Sequence, residues 1–354
     1  MKAEKKRIVV MGGSFNPPTL AHYKLMKEAL NALDADIGFL VPVSDAYLKR
    51  KMRHSHPPVV LSPELRVRML QSMCAEDSRL QIYEKEMGII GADTIGTMKA
   101  LQGDYPDAEQ YFLMGADKID LLTHMTKKWG FLDTFKVVLY SREDDTLEQI
   151  LKENEILSGY TDQIIILPQP DGTEGVSSSL VRERMLKGES SQELLCPEVW
   201  ELFKAFTADD FPDVINQFKG EYDFLSNRFP CSVQWEGVKY PSAESAFQAS
   251  KCAEESERKV FASCSIQKAT LRGRELKPHP GWEEAQLDIM ESILQAKFEQ
   301  NPALMKKLAD TGNTILINGN SKQETYWGID LYSWEGENYI GKLLMKIREK
   351  ETLK

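Results

Sequence analysis

The stretch Val9-Val10-Met11-Gly12-Gly13-Ser14-Phe15-Asn16-Pro17-Pro18-Thr19-Leu20-Ala21-His22 constrains the fold of this chain more than any other. An apolar run ends at two glycines, two prolines fix the path, and a helical pattern starts around Thr19. Glycine lets the backbone turn tightly and come close to a bulky group. The start of a helix presents free N–H groups and the positive end of its dipole, which together make an anion site. His22, on the first turn, can reach that spot and donate to a phosphate oxygen. Taken alone, the segment also fits a plain strand-to-helix turn with a surface histidine.

The rest of the N-terminal half continues the strand-helix alternation that implies a parallel sheet. Strands are expected at residues 7–11, 37–43, 111–114, 136–140 and 163–167, and helices at 19–33, 62–74 and 197–206. The segment 207–212 carries capping and breaking residues and reads as a boundary, which divides the 354 residues into domains 1–209 and 210–354. Beyond it an aromatic-rich opening precedes helices at 242–253, 267–276, 282–299, 302–311 and 339–350. The expected class is α/β, a Rossmann-like parallel-sheet domain followed by a mainly α domain.

Composition narrows the function. A net charge of −10 argues against a general nucleic-acid binder, which needs clustered Lys and Arg, but leaves room for a small anion in a local basic pocket. Five cysteines form no CxxC pair, a pattern of reduced thiols and not of a disulfide or zinc framework. The apolar run near the N-terminus is too short for a signal-peptide core and no segment suits a membrane span, so the expected place is the cytoplasm, with no membrane partner and no protein-bound metal. His54 and His56, with Pro57-Pro58 after them, fit a loop better than a metal site. A homo-oligomer stays open.

Further stretches follow the loop in order: Pro42-Val43-Ser44-Asp45-Ala46-Tyr47-Leu48-Lys49, Leu61-Ser62-Pro63-Glu64-Leu65-Arg66-Val67-Arg68-Met69, Thr94 and Thr97, Gly115-Ala116-Asp117, Trp129, and Val176-Ser177-Ser178-Ser179-Leu180-Val181-Arg182. Together they resemble the nicotinamide mononucleotide adenylyltransferases of the HxGH nucleotidyltransferase superfamily, over about residues 6 to 206. The loop is similar to the family's GxFxPxTxxH signature, and the last stretch to its ISSTxxR motif with Ser179 for threonine. Thr19 and Ala21 stand where bacterial nicotinate-mononucleotide enzymes usually carry histidine and glycine, so the chain looks like the eukaryotic-type branch. The resemblance implies that ATP, carried with Mg²⁺, and nicotinamide mononucleotide react to give NAD and pyrophosphate by in-line attack on the α-phosphorus. It implies Gly13, Ser14 and Phe15 around the nucleotide, His22 on the α-phosphate, Ser178, Ser179 and Arg182 on the β- and γ-phosphates, and Lys49 neutralising charge. Gly115 and Asp117 would meet the adenosine ribose, and Thr97 and Trp129 the pyridine side. Lys49, with Arg50, Lys51 and Arg53, also fits a solvated basic loop, and Trp129 a core aromatic.

In the C-terminal half Ser242 reads as a helix cap, with Glu244, Gln248 and Lys251 sharing one face at i, i+4 and i+7. Such a row is ordinarily a solvated stripe. With Phe224-Leu225-Ser226-Asn227, Tyr240-Pro241, Gly273-Arg274, Trp282, the run from Lys297 to Pro302, Tyr326-Trp327-Gly328 and Asn338-Tyr339-Ile340-Gly341, it resembles the NADAR (YbiA-like) family over about residues 214 to 350. Ser245 departs from that pattern, where histidine is usual. The resemblance implies N-glycosidic bond hydrolysis on an ADP-ribosyl or ribosylamino compound, with Glu244 as the catalytic carboxylate. Asn227, Lys251, Arg274, Trp282, Trp327 and Asp330 would line the pocket. The alternatives are a C-terminal domain that only senses NAD or ADP-ribose, and an N-terminal domain that adenylylates another mononucleotide.

Overall fold

The first apolar run extends two residues past Met11, so that both glycines belong to β1 (Arg7–Gly13), in which Ile8, Val9 and Val10 are wholly buried. Alternate residues of a strand face opposite sides. Val9 and Met11 enter one hydrophobic core and Ile8 and Val10 another, so the sheet is covered on both faces. That explains a strand apolar throughout and not alternating.

The computed structural model describes residues 5–88, 93–141 and 144–352. The chain divides into two units, Met1–Met52 with Val59–Phe211, and Arg53–Pro58 with Pro212–Lys354. In the first, β1 joins β2 (Ile37–Pro42), β3 (Leu80–Ile82), β4 (Glu109–Gly115), β5 (Lys136–Ser141) and β6 (Ile164–Pro168) in one parallel sheet of order β3-β2-β1-β4-β5-β6. The chain reverses its direction of travel across the sheet between β1 and β4, which is where open α/β sheets bind ligands, beyond the carboxyl ends of the strands. The ladders show why. β1 follows β2 as far as Gly13↔Pro42, but pairs with β4 only from Arg7↔Glu109 to Val10↔Phe112. Past Val10 the two strands part and a crevice opens.

Helices fill the connections. α1 (Leu20–Ala32) starts after Thr19, which is extended, and α2 (Asp45–Met52) starts at Ser44, whose Oγ accepts from the Tyr47 N–H at 3.2 Å. In α3 (Pro63–Cys74), Ser62 caps and Pro63 occupies the first turn, as expected from the sequence. α4 (Thr94–Asp104) is capped by Asp93, and α5 (Ile119–Trp129) ends on Gly130, whose left-handed φ of 63° suits glycine. A further helix, Ser178–Leu186, is capped by Ser177.

The second unit is helix-rich. Trp282–Glu299 matches the expected bounds, whereas the helix begun at Ser242 ends at Ala249 and a separate helix, Glu255–Ala262, follows. Ile266–Glu275, Pro302–Ala309 and Tyr339–Thr352 complete the set around a core that includes Phe224, Tyr240, Phe261, Trp282 and Phe298. A hairpin of Val233–Trp235 with Val238–Tyr240 turns on Glu236 and Gly237, both at positive φ, as a tight two-residue hairpin needs.

Candidate active site

In the crevice, a cavity of about 350 Å³ lies between the β1–α1 loop and the helix Ser178–Leu186. Thr19 N–H donates to His22 Nδ1 at 3.0 Å, with Thr19 Oγ1 at 2.7 Å from the same nitrogen. A nitrogen that accepts an N–H carries no proton of its own, so the proton of neutral His22 sits on Nε2, free to donate. Burial, then the charge of Lys51, lowers the His22 pKa from 6.5 to about 4. His22 is therefore a neutral hydrogen-bond donor at neutral pH, and its ring rests on Phe15 at 5.1 Å. A side chain at Gly13 would meet the Phe15 ring at 3.0 Å, which makes glycine the fitting residue there.

The loop is pinned from both sides. Arg182 donates from Nη1 to Asn16 O at 2.7 Å and from Nη2 to Ser179 Oγ at 3.1 Å, and Ser178 Oγ donates to Pro17 O at 2.7 Å. Asn16, fully buried, bridges Val59 O and the Leu61 N–H. From behind, the fully buried Arg66 of α3 donates from Nη1 to Ser14 O at 3.1 Å and Val43 O at 2.9 Å. Lys51 Nζ reaches Ser14 Oγ at 3.1 Å, and burial with the charges of Arg182 and Lys118 holds its pKa below the usual lysine value. Lys51 and Arg182 thus line the first cavity together, an arrangement suited to a polyphosphate.

A second cavity of about 310 Å³ shares Gly13, Ser14 and Lys51 with the first. Val41, Val43, Tyr47 and Phe112 give it an apolar wall, and Glu86, Thr97, Gly115 and Asp117 its polar groups. Thr97 Oγ1 donates to Glu86 Oε1, and burial, with the like charge of Asp93, raises the Glu86 pKa. A Cβ on Gly115 would come within 2.5 Å of Asp117 Oδ1, so a larger residue there would push this exposed carboxylate aside. Asp117 pairs with Lys118 at 2.7 Å.

In the second unit Glu244 is held at three points. Its N–H donates to Asn227 O at 2.8 Å, and its Oε1 accepts from Gln248 Nε2 at 3.0 Å and Thr270 Oγ1 at 3.2 Å. Lys251 Nζ donates to Gly273 O at 2.6 Å and stands 5.3 Å over the Trp282 ring. Burial lowers the Lys251 pKa while the charge of Glu244 opposes that shift. Trp282 is buried and donates from Nε1 to Ser250 Oγ at 2.8 Å, and Trp327 meets Phe247 edge-on at 5.2 Å.

The comparisons agree with this geometry. A family model described as cytidylyltransferase-like matches residues 10–184, and one described as the NADAR domain matches residues 209–351. The chain is 28% identical over 200 residues to a protein of Shouchella clausii named a probable nicotinate-nucleotide adenylyltransferase, covering 56% of this chain and 94% of that one. An Enterococcus faecalis protein of the same name is 30% identical over 196 residues, covering 54% of this chain and 79% of that one. The chain belongs to the cytidylyltransferase-like nucleotidyltransferases. Its C-terminal half is a NADAR domain, 38% identical over 96 residues to an N-glycosidase of Acanthamoeba polyphaga mimivirus, covering 24% of this chain and 55% of that one.

In the nucleotidyltransferase domain Gly13, Ser14, Phe15, His22, Ser178, Ser179 and Arg182 converge on the first cavity, and Thr97, Gly115 and Asp117 on the second. Lys49 does not join them. It pairs with Asp45 at 2.7 Å and lines neither cavity, because on α2 it faces away from Lys51, two residues on, which lines both. Trp129 is also outside: at the end of α5 it is 48% exposed, edge-on to His124 at 5.3 Å with Lys128 over its ring at 4.4 Å. In the NADAR domain the Asp330 side chain staples its own loop. It accepts from the N–H groups of Gln323, Tyr332 and Ser333, which hold its pKa below the usual carboxylate range. Arg274 is exposed. Ser245 is fully buried against Ser242, its Oγ 3.1 Å from that of Ser242. Sequence reasoning missed Lys51 and Glu86, and also Thr270, whose hydroxyl shares its proton between Glu244 and Ile266 O.

Proposed function

We propose that the nucleotidyltransferase domain transfers the adenylyl group of ATP to nicotinamide mononucleotide, giving NAD and pyrophosphate, and that the NADAR domain hydrolyses an N-glycosidic bond of an ADP-ribosyl or ribosylamino compound. One observation carries the first part: two cavities at the strand switch share a wall of Gly13, Ser14 and Lys51, so two phosphorylated substrates can meet there phosphate to phosphate. A 5′-phosphate oxygen of the mononucleotide attacks the α-phosphorus. The bond to the β-phosphate oxygen breaks in line, and pyrophosphate leaves with those electrons. No protein nucleophile takes part, so the residues act by positioning and by charge. His22 Nε2–H donates to the α-phosphate as negative charge builds, Arg182 and Lys51 neutralise the triphosphate, and the fork of Arg182 suits two oxygens at once. Mg²⁺ is taken to arrive with ATP. In the NADAR domain Glu244, with Oε1 already satisfied, keeps Oε2 to orient water or face an oxocarbenium-like state.

Incubation with ATP, Mg²⁺ and either nicotinamide or nicotinate mononucleotide, followed by chromatography for the dinucleotide, tests the first part. Pyrophosphate release with some other acceptor, and dinucleotide from neither, would sink it. His22→Ala should abolish synthesis while leaving the NADAR activity intact. For the second part, ADP-ribosylated and ribosylamino substrates are offered to wild type and Glu244→Gln. Tight ADP-ribose binding with no turnover of either substrate class would instead make the domain a sensor.

A further inference from the structure

We propose that Glu86, held by Thr97, is the residue by which the second cavity distinguishes a pyridine carboxamide from a pyridine carboxylate, admitting the first and rejecting the second. This rests on the reading that the acceptor mononucleotide occupies that cavity with its phosphate at the shared wall. The apolar wall of Val41, Val43, Tyr47 and Phe112 suits a flat ring, and Glu86 and Thr97 line the same space.

Glu86 lies in the short turn Glu84–Gly88 after β3 and is 5% exposed. Among the described residues its side chain has one hydrogen-bond partner, the Thr97 hydroxyl, and no salt bridge. A buried carboxylate without a cation is costly to keep, so its presence calls for a reason. The cavity's two lysines are directed elsewhere, Lys118 to Asp117 and Lys51 to Ser14. The Glu86 end of the cavity therefore offers acceptors and negative charge. A carboxamide brings an –NH₂ that donates to Glu86. A carboxylate brings no donor and a like charge, and such a pairing at close range is strongly rejected. The burial that raises the Glu86 pKa also strengthens any hydrogen bond it accepts.

The test compares wild type, Glu86→Gln and Thr97→Val by kcat/KM for both mononucleotides at saturating Mg²⁺ and ATP, and by calorimetric binding of each mononucleotide alone. Wild type should prefer the amide by roughly 100-fold or more, the scale on which a site with fixed buried polar groups rejects a mismatched analogue. Glu86→Gln, which can donate as well as accept, should narrow that ratio to about 10-fold or less through better use of the acid, with the KM for ATP unchanged. Thr97→Val, which frees the carboxylate without removing it, should keep the preference for the amide, and it stands in if Glu86→Gln melts early. A wild type that prefers nicotinate overturns the assignment. So does a Glu86→Gln protein with an unaltered ratio, or one whose main change is in the KM for ATP. If no dinucleotide forms but calorimetry keeps an amide preference that Glu86→Gln loses, adenylyl transfer fails and the role of Glu86 stands.

Discussion

Replacing Lys51 and Lys49 in turn tests the cleft most sharply, because the two lysines are two residues apart and differ only in the face of α2 they occupy. An ammonium about 4 Å from a phosphate oxygen, at an effective dielectric of about 20, is worth about 4 kcal/mol by Coulomb's law. Removing one such donor from a site matched to the transition state typically costs about 3 kcal/mol, or 10²- to 10³-fold in kcat. Lys51→Met should therefore lose activity on that scale. Its folding should not suffer: burial and then the charges of Arg182 and Lys118 disfavour the Lys51 ammonium, so deleting it leaves stability unchanged or raises it, by about 1 kcal/mol or less. Lys49→Met breaks only a pair with Asp45 whose side chains are 41% and 29% exposed. Such a pair is worth about 1 kcal/mol or less, and activity should stay within about twofold. Initial rates of pyrophosphate release and thermal melting of the same preparations give both quantities. The reasoning fails if Lys51→Met keeps more than about a tenth of kcat, or if the Lys49 variant loses as much as the Lys51 variant.

Other predictions follow from titration and close contact. Native His22 stays neutral down to about pH 4 while an unfolded imidazole protonates near 6.5, so wild type loses up to about 3 kcal/mol of stability as pH falls between those values. Denaturant titrations across that range should find that part of the acid slope missing in His22→Ala. Lys297, fully buried and donating to Phe224 O and Ser226 O, has its pKa lowered by burial from 10.5 to about 8. Between these values the unfolded chain binds the extra proton, so wild type should gain up to about 3 kcal/mol of stability as pH rises from about 8 to 10.5, a gain that Lys297→Met lacks. A Cβ at Gly273 would sit 2.0 Å from Gln248 Oε1, so Gly273→Ala should displace the amide from Glu244. We expect it to lower any NADAR turnover about tenfold or more and to cost about 1–3 kcal/mol by denaturant unfolding; unaltered kinetics would remove Gln248 from the site.

What the sequence made legible was local backbone geometry. Gly12-Gly13, the two prolines, and the caps at Ser62 and Ser242 each act over a few residues, and each element they mark is present. The order of the sheet could not be read, since which strand lies beside β1 is decided by packing between residues a hundred positions apart. Lys49 is the lysine that the resemblance singles out, and without the helical phase of α2 (Asp45–Met52) nothing in so polar a stretch tells it from Lys51. Asp45, four residues before Lys49, was the available clue that this lysine is already paired. Glu86 was hidden for a similar reason: Glu84-Lys85-Glu86 looks solvated until the fold turns its third residue inward. Asp330 could have been recognised from Ser333 three residues on, a spacing typical of a side chain that organises its own turn.

Arg66 lines neither of the two cavities described, yet it governs one. In a trans peptide the carbonyl and the following N–H point in opposite directions. By gripping Ser14 O from the buried side, Arg66 turns the Phe15 N–H the other way and fixes it there. Among the described residues its Nε and Nη2 have no hydrogen-bond partner, so a sealed charge is spent on two carbonyls, those of Ser14 and Val43. The surface that greets an anion and the clamp that aims it are separate residues. An alteration at position 66 would thus be felt by a ligand it never meets.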